Sequence, residues 1–139
     1  MFSEAEIQYL KSQRLARIAT VSSKGQPDVV PVAYEFDGQN FYVGSRGQDL
    51  LVQTWKYKNV KNGNRLVALA IDDIESIDPW RPREVKVYGT ADIVDHNGMF
   101  GPGKYIRISP KTSWSFGLKG MKQDGPRRVK TSHMPKAET

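Results

Sequence analysis

The feature that most constrains this chain is an alternation of apolar and polar side chains with period two, repeated in short runs from Ala16 to Phe116. Residues 16–22 are apolar and β-branched, and Val30, Val32, Tyr34 and Phe36 then alternate with Val29, Pro31, Ala33 and Glu35. Phe41 to Val43, Val85 to Ile93, Tyr105 to Ser109 and the pair Trp114 and Phe116 continue the pattern. Leu66 to Ile71 is apolar throughout, as expected of a central strand buried on both faces. Side chains at period two point to opposite faces of a strand, so each run has one face to bury. The runs are joined by turn chemistry at hairpin spacing rather than by long helices. The pattern predicts a mainly β protein, an antiparallel barrel with small helices at its openings.

Two segments break the alternation. Ser3-Glu4-Ala5-Glu6 has the form of a capping box, followed by Ile7 and Leu10, which predicts a helix from Glu4 to Arg14. Leu51, Trp55 and Val60 suit one face of a helix from Asp49 to Lys61, ended by Asn62-Gly63-Asn64. Ser23 to Pro27 and Asp37-Gly38 read as turns, the second a tight hairpin. Pro31 has no backbone donor and places its strand at an edge or a bulge. Asp72 to Pro82, acidic and then bounded by prolines, reads as a loop, and so does Asn97 to Gly103.

The chain of 139 residues is the length of one domain. It has no Cys, which excludes disulfide frameworks, thiol nucleophiles and thiolate metal sites. No apolar run approaches the 18 or so residues that span a bilayer, and Met1 to Arg14 has no secretory apolar stretch, so a cytoplasmic protein with no membrane partner is expected. Net charge is +6. From Lys119 onward there are six basic and two acidic residues, leaving residues 1–118 nearly neutral. Residues 1–118 are therefore taken as the folded domain and 119–139 as a basic, flexible tail. Such a tail solubilises a protein or binds nucleic acid; solvation is the simpler reading, and a nucleic-acid partner is not expected.

No G-x-S-x-G, H-E-x-x-H, Walker or G-x-G-x-x-G motif is present. His96 and His133, the only histidines, read as surface residues in a loop and in the tail. No metal site is expected, although Asp72-Asp73-Ile74-Glu75 contains hard-cation ligands. An enzyme built on this chain would bind and orient an external cofactor that carries the chemistry. Thr54, Lys56, Lys58, Lys61 and Arg65 fall within twelve residues without an acid, a donor set suited to phosphate or simply a solvated basic face. Trp55, Trp80, Trp114 and Phe116 suit stacking on a planar ligand or a place in the core.

The order of Arg17-Ile-Ala-Thr-Val, Gly25-Gln-Pro-Asp-Val-Val-Pro-Val, Phe41-Tyr-Val, Thr54-Trp-Lys-Tyr-Lys-Asn-Val, Val67-Ala-Leu-Ala and Val85-Lys-Val-Tyr-Gly resembles the pyridoxamine 5′-phosphate oxidase-like split barrels. Within them the chain is most similar to the flavin/deazaflavin oxidoreductases that use coenzyme F420, with Asp78 to Arg83, Ile106 to Pro110 and Ser115 to Leu118 fitting one subgroup. The resemblance covers residues 3–118. It implies a six-stranded split barrel of the FMN-binding type, an obligate homodimer with two cofactor sites in its interface. It places the cofactor phosphate on Thr54 and Lys56, with Lys58 beside them. It implies that Val30, Pro31 and Val32, with Tyr42, Val43, Gly44 and Ser45, line the ring and ribityl chain. Trp80 and Trp114 or Phe116 would come from the partner chain. No side chain is assigned a catalytic role.

The sequence departs from the oxidase itself. Val29-Val30 and Glu84 stand where its flavin-contacting Arg and Gln would be, and its substrate-phosphate residues have no counterpart, so pyridoxamine phosphate oxidation is not expected. The expected activity is hydride transfer from reduced coenzyme F420 to an unsaturated or quinone-like small molecule. An FMN-dependent oxidoreductase or a non-enzymatic flavin binder is the alternative. Lys58, Lys61 and Arg65 continue the positive charge away from the phosphate, which suits the polyglutamate chain of a deazaflavin.

Overall fold

Ser3 and Glu6 close the expected capping box: the Ser3 hydroxyl accepts from the Glu6 amide and the Glu6 carboxylate accepts from the Ser3 amide. They start α1 (Glu4–Ser12), which lays Tyr9 and Leu10 on the core and buries Glu6 against the Ser115 hydroxyl. The computed structural model describes residues 1–121 and 128–133. After α1 come β1 (Leu15–Val21), β2 (Pro27–Ala33), β3 (Glu35–Phe36), β4 (Phe41–Val43), α2 (Gln48–Val52), α3 (Trp55–Lys61), β5 (Leu66–Ser76), β6 (Arg81–Gly98), β7 (Gly101–Phe116) and β8 (Val129–Ser132). Among the described residues no helix is long and apolar enough to cross a membrane.

All strands join one antiparallel sheet in the order β2-β1-β5-β6-β7-β4-β3, with β8 on β7 beside Thr112 to Ser115. The two ends of that path, β2 and β3, are separated in the chain by Tyr34 alone. One residue spans only about 3.8 Å, so the sheet must curl until its ends meet. This makes the sheet a barrel that stays split along the unpaired parts of β2 and β3. Tyr34 fixes the meeting point by donating from its phenol to the Leu10 carbonyl of α1, and burial raises its pKa. Counting β2 and β3 as one interrupted run, six runs make the expected split barrel and β8 is an addition to it.

The period-two pattern is realised as expected. Ile18, Leu69, Val87, Ile106, Ile108, Phe41 and Val43 point inward and are almost wholly buried. Each such side chain contributes roughly 1.5–3 kcal/mol as an upper estimate. Pro31 lies on β2, which ends the sheet path, so its missing donor breaks no ladder.

Five local expectations are corrected. Leu66 to Ile71 is not buried on both faces: Val67, Leu69 and Ile71 are buried, but Leu66 and Ala70 are exposed on the outer face. Asp72 to Pro82 is mostly strand, because β5 and β6 pair through Asp72↔Glu84, Asp73↔Arg83 and Ile74↔Pro82. Its charges are matched there by Arg17 on Asp72 and by Arg83 on Asp73. Asn97 to Gly103 is the tip of a long hairpin that turns at Met99 and Phe100, with Gly101 at φ +82°. The helix expected over 49–61 divides into α2 and α3, because Thr54 caps a new helix. Finally, β8 and His133 show that part of the basic tail is folded, while Lys122, Asp124, Arg127, Lys136 and Glu138 lie outside the described residues.

Candidate functional site

Helix α3 turns Lys56, Asn59 and Val60 toward the barrel, a spacing of three and four residues that puts them on one face. Asn59 donates to the buried Thr20 hydroxyl at 2.9 Å and ties the helix to β1. Lys56 lies one turn N-terminal to it and is only 8% exposed. Among the described residues its ammonium has no hydrogen bond and no ion pair. Burial lowers its pKa below the ordinary lysine value, opposed by the charge of Asp28, whose position in β2 is opposite Thr20. The stem of Lys56 is thus packed beside the edge strand β2, with the Asp28 carboxylate as the nearest opposing charge that bears on it.

Thr54 shapes the turn that presents Lys56. Its hydroxyl accepts from the Tyr57 amide at 3.3 Å and donates to the Leu51 carbonyl at 2.7 Å. Its only proton is thus engaged within the α2–α3 turn, and a lone pair is what remains for a ligand. Lys58 points the other way, its Nζ 4.9 Å from the centre of the exposed Trp55 ring. Arg65 pairs with Asp92 at 2.6 Å and donates to the Ala91 carbonyl. The basic run that is free of acids in sequence therefore meets an acid in space, and of the series only Lys56 faces inward.

The other expected cofactor residues fall into separate places. Val30 and Val32 face inward from β2 and Pro31 faces out, as alternation requires. Val43 is core. Tyr42 stacks on His96 with centroids 4.0 Å apart, and His96 in turn contacts Glu35 at 3.3 Å and the Tyr105 ring. This places His96 on β6 in a packed cluster rather than in a surface loop. Gly44 lies under the Tyr105 ring, where a Cβ would approach to 2.6 Å, and Ser45 follows it half-exposed into α2. Trp114 lies on the outer sheet face, its ring covered by Lys86 at 4.4 Å and flanked by Tyr88 and Lys130. Trp80 stands at the β5–β6 tip and shares a cavity with Phe116.

Pro31, Arg17, Ala70, Lys86 and Trp114 occupy one row across β2, β1, β5, β6 and β7. Four strand spacings, about 19 Å measured along the sheet, lie between its ends. One chain thus carries the Lys56 and β2 half of the expected site and, far from it, the aromatic half. Between them the outer face is apolar: Val29, Ala19, Ala68 and Tyr88 form the next row, with Val21 and Leu66 beside it. Val29 and Leu66 are 67% and 69% exposed. Asn59, Thr20 and Lys86 escaped sequence reasoning. Asn59 carried a legible signal, three residues after Lys56 on the same helical face.

Known proteins share this arrangement of elements. The pyridoxamine 5′-phosphate oxidase family matches residues 2–129. A 5a,11a-dehydrotetracycline/5a,11a-dehydrooxytetracycline reductase of Streptomyces rimosus is 33% identical over 123 residues, 86% of this chain and 85% of that protein. Among solved structures, a conserved hypothetical protein of Mycobacterium tuberculosis superposes with a TM-score of 0.63 at 21% identity, covering 91% of this chain and 94% of its own. An F420 reductase gives 0.61 at 20% identity, covering 81% and 98%. A haem-binding protein of Mycobacterium smegmatis gives 0.66 at 15% identity, covering 95% of this chain and 59% of its own. The chain belongs to the pyridoxamine 5′-phosphate oxidase family, in agreement with the resemblance read from the sequence, and it has the family's split-barrel fold.

Proposed function

We propose that the protein is a homodimeric reductase that holds the phosphate of a tricyclic ribityl cofactor on Lys56 and passes a hydride to an unsaturated or quinone-like small molecule. The observation that carries this reading is Lys56, which α3 turns toward the barrel with only 8% of the residue exposed and whose ammonium has no hydrogen bond or ion pair among the described residues. Burial disfavours its charged form, and a phosphate would supply a charge-assisted partner that favours it. The reductase of Streptomyces rimosus, alike over most of both chains, supports the reaction class.

We take coenzyme F420 as the cofactor; when bound and reduced, it supplies the hydride. The chain's own part is binding and exclusion of water. Lys56 anchors the phosphate, the unpaired edge of β2 offers backbone groups along Val30 to Val32, and Thr54 sets the turn that aims Lys56. FMN is the second reading, and one observation favours it. Asp92 neutralises Arg65, which leaves Lys58 and Lys61 to meet a polyglutamate chain, and FMN has no such chain.

The dimer follows from the outer face. A contiguous apolar surface around Val29, Leu66, Ala68 and Tyr88 needs cover, and a second copy placed over it brings a β2 edge toward the aromatic half of its partner. Arg128 pairs with Glu84 and Lys130 lies by Trp114, so part of the tail's charge is used inside the fold and a nucleic-acid partner is not proposed.

Titration with F420 and FMN in parallel at fixed salt is the test. Lys56→Ala should weaken binding by about 1.5–3 kcal/mol, the range for a hydrogen bond to a charged group. Unchanged affinity removes Lys56 from the site, and tighter FMN binding reverses the cofactor choice. Sedimentation at micromolar concentration should show twice the 15.7 kDa protomer mass; a monomer overturns the interface site.

A further inference from the structure

At the end of the sheet away from Lys56, the β5–β6 tip and the exit of β7 enclose a cavity of about 700 Å³. That is the size of small-molecule sites. Trp80 stands on its rim with 62% of its surface exposed, and half-buried Phe116 and buried Leu118 line it. Its floor is closed backbone: a Cβ added to Gly117 would come within 2.2 Å of the Pro82 carbonyl, and Gly117 has φ +74°. Only glycine lets β7 approach β6 so closely there.

The charges around this cavity differ from those nearby. Arg17, Arg83 and Arg128 each hold a carboxylate, on Asp72, Asp73 and Glu84. Arg81 and Lys119, both in the cavity lining, are exposed and make no hydrogen bond or ion pair among the described residues. Glu75 is the lining's one acid. Two aromatic rings and two uncommitted cations around a closed floor form a receptor for a flat, negatively charged molecule. The rings give stacking area, and the guanidinium and ammonium give charge-assisted hydrogen bonds to a carboxylate or enolate.

We propose that this cavity binds the acceptor of the reductase reaction, and that the acceptor is a planar, conjugated organic anion stacked on Trp80 with its charge on Arg81 and Lys119. The role as acceptor site rests on the reductase reading; the binding specificity does not. It follows that neutral molecules of the same shape bind less well. Because both cations are exposed, the preference weakens as salt is raised.

The test uses the full-length protein and 2-naphthoate, a flat aromatic carboxylate, with 2-naphthylmethanol as its neutral counterpart, each followed by isothermal titration. The acid should bind at least tenfold more tightly than the alcohol. The double variant Arg81→Gln/Lys119→Gln should bring the two together, and Trp80→Ala, at an exposed position that leaves the core intact, should weaken both at least fivefold. Affinity for F420 or FMN should change less than twofold in Arg81→Gln/Lys119→Gln, and Lys56→Ala should leave 2-naphthoate binding unchanged. Equal affinity for acid and alcohol overturns the proposal, as does insensitivity to Trp80→Ala. Loss of cofactor affinity in Arg81→Gln/Lys119→Gln to the extent seen in Lys56→Ala also overturns it, because the cavity then belongs to the cofactor. If Lys56→Ala leaves the cofactor unaffected while 2-naphthoate still prefers Arg81 and Lys119, the Lys56 reading fails and the cavity assignment is upheld.

Discussion

Two cations are held against this barrel in opposite ways. Arg83 on β6 meets Asp73 on β5 through two hydrogen bonds, at 2.9 and 2.5 Å, and lies over the Tyr9 ring of α1. Tyr9 donates to the same carboxylate at 3.0 Å. Each charge in that group has a geometric partner, and the group fastens α1 to the β5–β6 hairpin. Lys56 is the more buried of the two cations and has no such partner among the described residues. A charge whose partners are all in the fold serves the fold, whereas an inward-turned cation without one is where the proposed phosphate would bind.

The strongest way to break the comparison is to remove Arg83. Arg83→Ala leaves the half-buried Asp73 carboxylate without its counter-charge, and should lower unfolding free energy by about 2–3 kcal/mol in urea titrations. Lys56→Met should do the reverse. It removes a charge that burial disfavours, so the free protein should be as stable as before or more so, while cofactor affinity falls about tenfold or more. A loss of stability comparable to that in Arg83→Ala would show that Lys56 also serves the fold.

The pH dependence sharpens the same contrast. The bond from Arg83 holds the Asp73 pKa below the ordinary carboxylate value. Its contribution is complete above about pH 3.9 and is lost as pH falls through the native value, because the unfolded chain takes up the proton first. Burial lowers the Lys56 pKa, so above its native value the unfolded chain binds more protons than the folded one. Stability of the cofactor-free protein should therefore rise with pH from that value toward about 10.4, and Lys56→Met should abolish the rise. Thermal melts across pH separate the two limbs.

The smallest effect is expected at His133, which fixes the end of β8. Its ring bonds the Ser113 hydroxyl at 2.8 Å and packs on Phe2, and its amide donates to the Lys111 carbonyl. His133→Ala should cost about 0.5–1.5 kcal/mol. Burial first, and the N-terminal amine second, lower its pKa, against the charge of Glu6. Stability should fall as pH drops from about 6.5 toward the native value, and hydrogen exchange over Val129 to Ser132 should report it.

Much of this was legible in the residues. Ser3 and Glu6 announced α1, alternation gave β1, β2 and the inner faces of β6 and β7, and Pro31 marked an edge. Asp72 to Pro82 was not legible, because strand residues beyond the core carry charges that local composition assigns to loops; only Arg17 and Arg83, brought across by pairing, make them strand residues. Val129 to Ser132 was hidden in a basic tail for a similar reason: its partner, Thr112 to Ser115, is a strand edge that β4 leaves open. At the candidate site, sequence singled out Lys56 but grouped it with Lys58, which the helix turns toward Trp55, and with Arg65, which pairs with Asp92 beyond the helix.

The sequence by itself determined the alternating faces, the turns and the positions of the cations, because these depend on local stereochemistry and on periods of two and 3.6 residues. Only the tertiary structure decided which of those cations are already satisfied. Satisfaction depends on partners distant in the chain: Asp73 for Arg83, Asp92 for Arg65 and none among the described residues for Lys56.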